Sequence, residues 1–288
     1  MVHAGWLALR DGEREPSTYS PTDELFTSDR SAMYGILIRT SGDRYGSEIN
    51  GTRESGWGTG QNLDFQNTAA FLALRSEKPL EGAIREGLAE ARLNPTLDRD
   101  LGHDVPDAQM VYWMKELTEI VLLDFLFEQQ DRIGNIDFVR EWTWAEEGQV
   151  RSRNATGPEA PAELAGRAAV LLKRTWINDN DAGGRAAYVD FAEKTHMLEK
   201  IRHMAPGTYR KLLALDRDFD RQGPLYAYYR DSFGLTSSQL GLLVRHAAHA
   251  AAILRESCRA GHLRFDLDPE RFLVEGTSPA REVSCETP

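Results

Sequence analysis

The stretch Leu123-Asp124-Phe125-Leu126-Phe127-Glu128-Gln129-Gln130-Asp131-Arg132-Ile133-Gly134-Asn135 passes from an apolar run into a polar cluster. Upstream of it, Val111, Met114, Leu117, Val121 and Phe125 recur at three- and four-residue steps, which predicts a helix from Asp107 to about Gln130. Between Ile120 and Phe127 the apolar residues thicken until the helix is apolar nearly all round, so that end is expected in a core. An acid, an arginine and an amide are thus delivered to the edge of a core. Taken alone, Asp131-Arg132 suits an ordinary helix C-terminus, where arginine complements the dipole and Gly134 is a stop signal.

A second polar cluster follows a second apolar run. Ala168-Ala169-Val170-Leu171-Leu172 and Thr175-Trp176-Ile177 predict a strand, and Asn178-Asp179-Asn180-Asp181-Ala182-Gly183-Gly184 comes directly after it. A single such cluster fits an Asx-type turn. The two together match what phosphoryl transfer requires: one carboxylate to take or orient the acceptor's hydroxyl proton, an amide oxygen, and a second carboxylate to hold Mg2+ between phosphate oxygens. Hard oxygen ligands suit Mg2+, with no thiolate or imidazole needed. Gly134 and the pair Gly183-Gly184 let the chain turn sharply beside the acids.

On these residues the chain resembles the atypical kinases related to the phosphatidylinositol kinases, the HipA toxin kinases and the Golgi secreted-protein kinases. Leu123 through Asn135 is similar to their catalytic loop, and Ile177-Asn178-Asp179-Asn180 to the isoleucine-aspartate-asparagine segment that supplies their metal-binding aspartate. The resemblance covers roughly residues 106–275. It implies Asp131 as the catalytic base, Asn135 as an Mg2+ ligand, Asp179 as the principal Mg2+ ligand, and ATP as phosphoryl donor. Asn135 lies four residues after Asp131, where the family usually has five, and Ile133 stands where the family often has histidine. Asp181-Ala182-Gly183 also fits the Asp-x-Gly form of typical kinases, which makes Asp181 the alternative to Asp179. Arg132 is expected to brace the loop or a phosphate.

The N-terminal side matches less of such a kinase. A nucleotide-binding lobe should carry a lysine paired with a helix glutamate. Before the loop only Lys78 and Lys115 exist, and Lys115 lies inside the long helix. Lys78 precedes Pro79 and a helix bearing Glu81, Glu86 and Glu90, whose apolar stripe of Leu80, Ile84, Leu88 and Ala91 ends before Pro95; it is the one candidate for holding the nucleotide. Met33–Ile38 reads as a strand, Phe71–Leu74 as a strand or a helix, and the glycines at 56, 58 and 60 lack a strand–turn–strand setting. The expected fold is α+β and predominantly helical. It comprises a poorly specified N-terminal region over 1–105, a protein-kinase-like C-lobe over 106–275 and a polar, frayed tail over 276–288, so the N-terminal lobe is short or incomplete.

Elsewhere the bland explanations suffice. Residues 192–274 predict helices broken at Pro206-Gly207, Gly223-Pro224, Gly234 and Gly261, with Thr236 and Gln239 forming a capping start for a helix over 237–258. Pro269 is expected at the first position of a last helix. Trp142 and Trp144 fit a strand with both rings on one buried face. His246 and His249, three apart on one helix, lack further ligands nearby in sequence and suit a helix surface or core. The two cysteines, Cys258 and Cys285, are too few for a disulfide framework or a four-thiolate zinc site, so oxidation is not expected to hold this fold.

A net charge of −11 argues against general attraction to nucleic acid or an anionic membrane surface. No apolar run reaches the ~18 residues of a membrane span, and Met1–Pro16 lacks the features of a signal peptide, so the default compartment is cytoplasmic. The expected activity is transfer of a nucleotide's γ-phosphoryl to a hydroxyl on a protein or small molecule. The alternative is a catalytically inactive pseudokinase or helical interaction module, motivated by the thin N-terminal lobe. A metal-dependent hydrolase using the same carboxylates has no motif behind it.

Overall fold

The computed structural model describes residues 43–50, 66–102, 104–129, 132, 135–177, 191–233 and 235–288. In chain order these form β1 (Asp43–Arg44), α1 (Ser47–Asn50), α2 (Ala69–Leu74), α3 (Leu80–Arg92), α4 (Pro95–Leu101), α5 (Asp107–Phe127), β2 (Ile136–Glu146), β3 (Gln149–Asn154), β4 (Val170–Ile177), α6 (Phe191–Lys194), α7 (Met197–Lys200), α8 (Pro206–Asp220), α9 (Pro224–Ser232), α10 (Ser237–Arg259) and α11 (Pro269–Glu275). The architecture is α+β, mainly helical, with one small antiparallel sheet. All described residues fall in the unit Ser41–Pro288. The candidate strand at Met33–Ile38 and the glycines at 56, 58 and 60 lie outside the described residues.

α5 is the central element. Met110, Val111, Met114, Leu117, Val121 and Phe125 on it are fully buried, and one core joins it to α2, α3, α8 and α10. Phe71–Leu74 resolves as helix: Thr68 caps α2 by accepting from the Phe71 N–H at 3.4 Å, and every residue of α2 is buried. α2 and α3 cross closely at Gly87, where a Cβ would come within 2.7 Å of the Ala69 carbonyl oxygen and the Ala73 Cβ. α10 opens on the Thr236–Gln239 capping box, and Pro269 takes the first turn of α11 behind Asp268.

β2 is the middle strand. β4 pairs with it from Ile136 to Thr143, so β1 and β3, which pair at 137–138 and 141–146, share its other edge end to end. β2 and β3 are joined by Glu147-Gly148, both at positive φ (52° and 74°), the requirement of a two-residue type I′ hairpin. Because β3 and β4 flank opposite edges, the connection over 155–169 must cross a face of β2. It crosses the tryptophan face: Arg167 lies 5.8 Å over the Trp144 ring, Arg153 pairs with Glu163, and Leu164 is buried. Trp142 is thereby buried and Trp144 half-buried, on one face as the alternation predicts.

The outer edge of β4 is closed by side chains of α5 instead of another strand. Gln109 donates its Nε2 to the Lys173 carbonyl at 2.9 Å and accepts the Lys173 N–H at 2.7 Å, while Glu116 accepts the Thr175 N–H at 3.0 Å. These are the backbone groups a neighbouring strand would have taken.

Two expectations about the C-terminus are overturned. Cys258 on α10 and Cys285 form a disulfide, their Cα atoms 5.7 Å apart. Two cysteines are too few for a framework, yet a single cross-link needs only one pair that the fold brings within reach. The tail is also docked rather than frayed. Ser278 donates to the Asp266 carbonyl at 2.6 Å, the Arg281 N–H donates to the Phe265 carbonyl at 3.0 Å, and Val283 packs on the core. Most of these anchors are backbone groups, which leave no apolar period in the sequence.

Candidate functional site

The sheet determines where the two polar segments of the sequence attach. Ile136, first residue of β2, faces Ile177, last residue of β4. The polar run 131–135 therefore enters β2, and the run beginning at Asn178 leaves β4, at one end of the sheet. Cα atoms of such facing residues lie about 4.5–5.5 Å apart. Asp131, Asp179 and Asp181 lie outside the described residues. Asn135 is buried immediately before β2, its N–H donating to the Arg132 carbonyl at 2.9 Å.

Arg132 is fixed by the helix that precedes it. Its Nε and Nη2 donate to both oxygens of Asp124 in the last turn of α5 at 2.7–3.2 Å, with both side chains only 2–3% exposed. Burial pushes the Asp124 carboxyl up, and the hydrogen bonds and charge of Arg132 draw it back down. Arg132 is thereby held against the last turn of α5. Asp124 was not singled out by spacing or composition; its one signal is an acid standing inside the apolar run Leu122–Phe127.

α5 stops where Glu128 adopts a left-handed conformation (φ 52°, ψ 44°), and the Gln129 N–H closes the end on the Asp124 carbonyl at 3.0 Å. That position usually belongs to glycine or asparagine. The Glu128 carboxylate is buried there, with Oε1 3.4 Å from His246 Nε2 on α10. Its Oε2 has no hydrogen-bond partner among the described residues. Burial raises the Glu128 pKa, the charge of His246 opposes that, and Glu193 adds to the rise. Glu193 on α6 reaches His249 Nδ1 at 3.2 Å, and the Phe125 ring meets both imidazoles edge-on.

The two histidines thus serve one buried and one surface pairing. His246 ties α10 to the residue just before the first polar segment, and His249 ties it to the helix just after the second. Among the described residues, no group of three or more His, Cys, Asp or Glu side chains is arranged to hold a metal ion. Another buried histidine, His203, has Nδ1 2.9 and 3.0 Å from the two Asp266 oxygens and Nε2 3.0 Å from the Ser76 carbonyl. With both nitrogens occupied and no exposure, it staples the 201–205 and 263–268 segments to the α2–α3 connection.

Lys78 lies on the segment that leads into α3. Its Nζ is 3.3 Å from Glu86, a lysine–glutamate pair of the type the resemblance asks for, formed at the surface with the lysine 60% exposed. Ser76 donates to the other Glu86 oxygen, and that bond is the main cause of a lowered Glu86 pKa. These groups line an open groove of about 520 Å³ together with Arg75, Glu77 and Glu90. None of its lining residues belongs to α5, the sheet or the polar segments at the Ile136–Ile177 end.

Among the described residues, Ile136 and Ile177 lie side by side, Arg132 is pinned by a buried ion pair, and α10 reaches Glu128 and Glu193 through imidazole–carboxylate contacts. No helix among the described residues is long and apolar enough to cross a membrane. No family model, no curated protein and no solved structure matches this chain.

Proposed function

We propose that the chain is an ATP- and Mg2+-dependent phosphotransferase with a kinase-like C-lobe, acting on a hydroxyl of a protein or small-molecule acceptor. The observation that carries the proposal is the pairing of Ile136 with Ile177, because it sets the entry of 131–135 and the exit toward 178–181 side by side. Catalytic base and metal-binding acid must converge on one phosphoryl group, and adjacent strand ends satisfy that need with short chain segments.

In this mechanism Asp131 accepts the acceptor's hydroxyl proton as its oxygen attacks the γ-phosphorus and the bond to the bridging β,γ-oxygen breaks, releasing ADP. Asp179, helped by Asn135 or Asp181, would hold an Mg2+ ion, which would supply positive charge to the phosphate oxygens. Arg132, engaged by Asp124, would brace the loop or a phosphate. Lys78 keeps its candidacy for the nucleotide only if its surface pair with Glu86 opens to phosphate.

The test is a thermal shift. A binder gains RT ln(1 + [L]/Kd) of stability, so Mg-ATP at 100 Kd should contribute about 2.7 kcal/mol, and Asp179→Ala should abolish both that shift and phosphoryl transfer. An unchanged shift and intact transfer in Asp179→Ala would sink the assignment. The exposed position of Lys78, on a segment leading into a helix rather than on a strand, favours a second reading as a noncatalytic interaction module. That reading requires no Mg-ATP shift in the unmodified protein.

A further inference from the structure

We infer that the Cys258–Cys285 bond is a redox latch on the last seven residues of the chain, whose docking depends on it while that of the residues before them does not. The inference is independent of the proposed function.

The tail after α11 is held in two different ways. Its first part, 277–281, is anchored by contacts within the fold: Thr277 to Glu81 of α3 at 3.0 Å, Ser278 (2% exposed) to the Asp266 carbonyl, and Arg281 to both the Phe265 carbonyl and Asp268. Its second part, 282–288, rests on less. Besides the disulfide, it has the Tyr209 hydroxyl donating to the Cys285 carbonyl at 2.9 Å, an exposed Arg259–Glu286 pair, and the half-buried Val283. One neutral hydrogen bond contributes about 1 kcal/mol and an exposed ion pair 0–1. Those are too small to hold seven residues in place against the roughly 1–2 kcal/mol of backbone entropy each regains when released.

The covalent bond therefore decides the state of this segment. Both cysteines are half-buried, so a thiol can reach the sulfur pair. A thiolate of a dithiol reductant attacks one sulfur, the Cys258–Cys285 bond breaks, and the other cysteine leaves as a thiolate that takes up a proton. The reductant's second thiol then displaces the mixed disulfide. Two electrons pass to the protein's sulfurs and the reductant departs as its own disulfide. Release frees the Tyr209 hydroxyl and uncovers the apolar surface under Val283, while the Tyr209 ring stays on Phe265 at 4.9 Å. In a reducing compartment the segment is free, and in an oxidising one it is docked.

Backbone hydrogen exchange on the full chain, read by mass spectrometry with and without dithiothreitol, tests this. The mass of protein equilibrated with oxidised glutathione should first show the two cysteines joined. Reduction should then speed exchange in 282–288 by about tenfold or more and leave 277–281 and the middle of α10 unchanged. Cys285→Ser should reproduce the reduced pattern and no longer respond to dithiothreitol. Unchanged exchange in 282–288 on reduction of the wild-type chain overturns the latch. So does release that spreads equally through 277–281 and α10, which would make the bond a staple of the whole fold, and so does finding that the two cysteines stay free thiols in an oxidised-glutathione buffer.

Discussion

Ile136 faces Ile177 across β2 and β4, at the end of the sheet away from the Glu147-Gly148 hairpin. β2 runs 11 residues from there, roughly 33 Å at 3.3 Å per residue, so the two ends are easily distinguished by a distance-dependent probe. With ATP present, Mn2+ in place of Mg2+ should broaden the amide resonances of Asn135, Ile136 and Ile177 strongly and those of Gly148 and Gln149 little. Uniform broadening, or broadening centred on Lys78, would place the cation elsewhere.

The buried pair of Asp124 and Arg132 predicts an asymmetric mutational response. Removing one partner strands an uncompensated charge in the core, so Asp124→Ala or Arg132→Ala should each lower stability by about 3–5 kcal/mol in urea titrations. Replacing both at once with apolar residues of similar volume, Asp124→Leu with Arg132→Met, should recover most of that loss. If phosphoryl transfer is measurable, the double variant should still lose it, because the loop that Arg132 positions is no longer held. A double variant that loses as much stability as the two single variants added together would show that the two side chains do not depend on each other.

How far the sequence carried the fold depends on the kind of interaction involved. The α5 helix, the α10 cap, Pro269 at the start of α11 and the strand at Val170–Ile177 all rest on local periodicity or on capping chemistry, and each formed within a few residues of its expected limits. Phe71–Leu74 was ambiguous because four apolar residues carry no distinguishing period, and the Thr68 cap decided it. Asp124–Arg132, Glu128–His246 and Cys258–Cys285 were not foreseen as pairs. The last two join residues more than a hundred and 27 positions apart, respectively, and nothing in a single sequence states which distant residues meet. The polar segments were visible by composition, and the strand register added that Ile136 and Ile177, the strand residues next to them, face each other.

Gln109 takes the place of a missing strand on the edge of β4. Truncating it to alanine leaves the Lys173 N–H without its partner and the carbonyl with only the Tyr45 hydroxyl at 3.1 Å. Gln109→Ala should lower stability by about 2 kcal/mol and raise amide exchange at Lys173 ahead of its neighbours. Gln109→Glu keeps an acceptor for the Lys173 N–H but sets a carboxylate against its carbonyl, so it should not restore the loss. Rescue by Gln109→Glu would mean that only the N–H needs a partner.

Glu128 gives stability a pH dependence whose sign can be worked out. Its carboxyl is raised above the ordinary 4.5, first by burial, with His246 pulling the other way. A carboxyl that holds its proton more tightly when folded contributes stability that is fully present below its unfolded pKa and is lost as pH rises through the folded one. The wild-type protein should therefore lose this contribution as pH rises above the ordinary 4.5 and through the raised folded value. Glu128→Gln keeps the shape without the charge, so its urea midpoint should match the wild type near pH 4 and exceed it at pH 7. The left-handed backbone at Glu128 is common to both proteins and cancels in the comparison. A wild type more stable than Glu128→Gln at pH 7 would mean that attraction to His246 outweighs the burial of the charge; the gap would again close on acidification, but with its sign reversed.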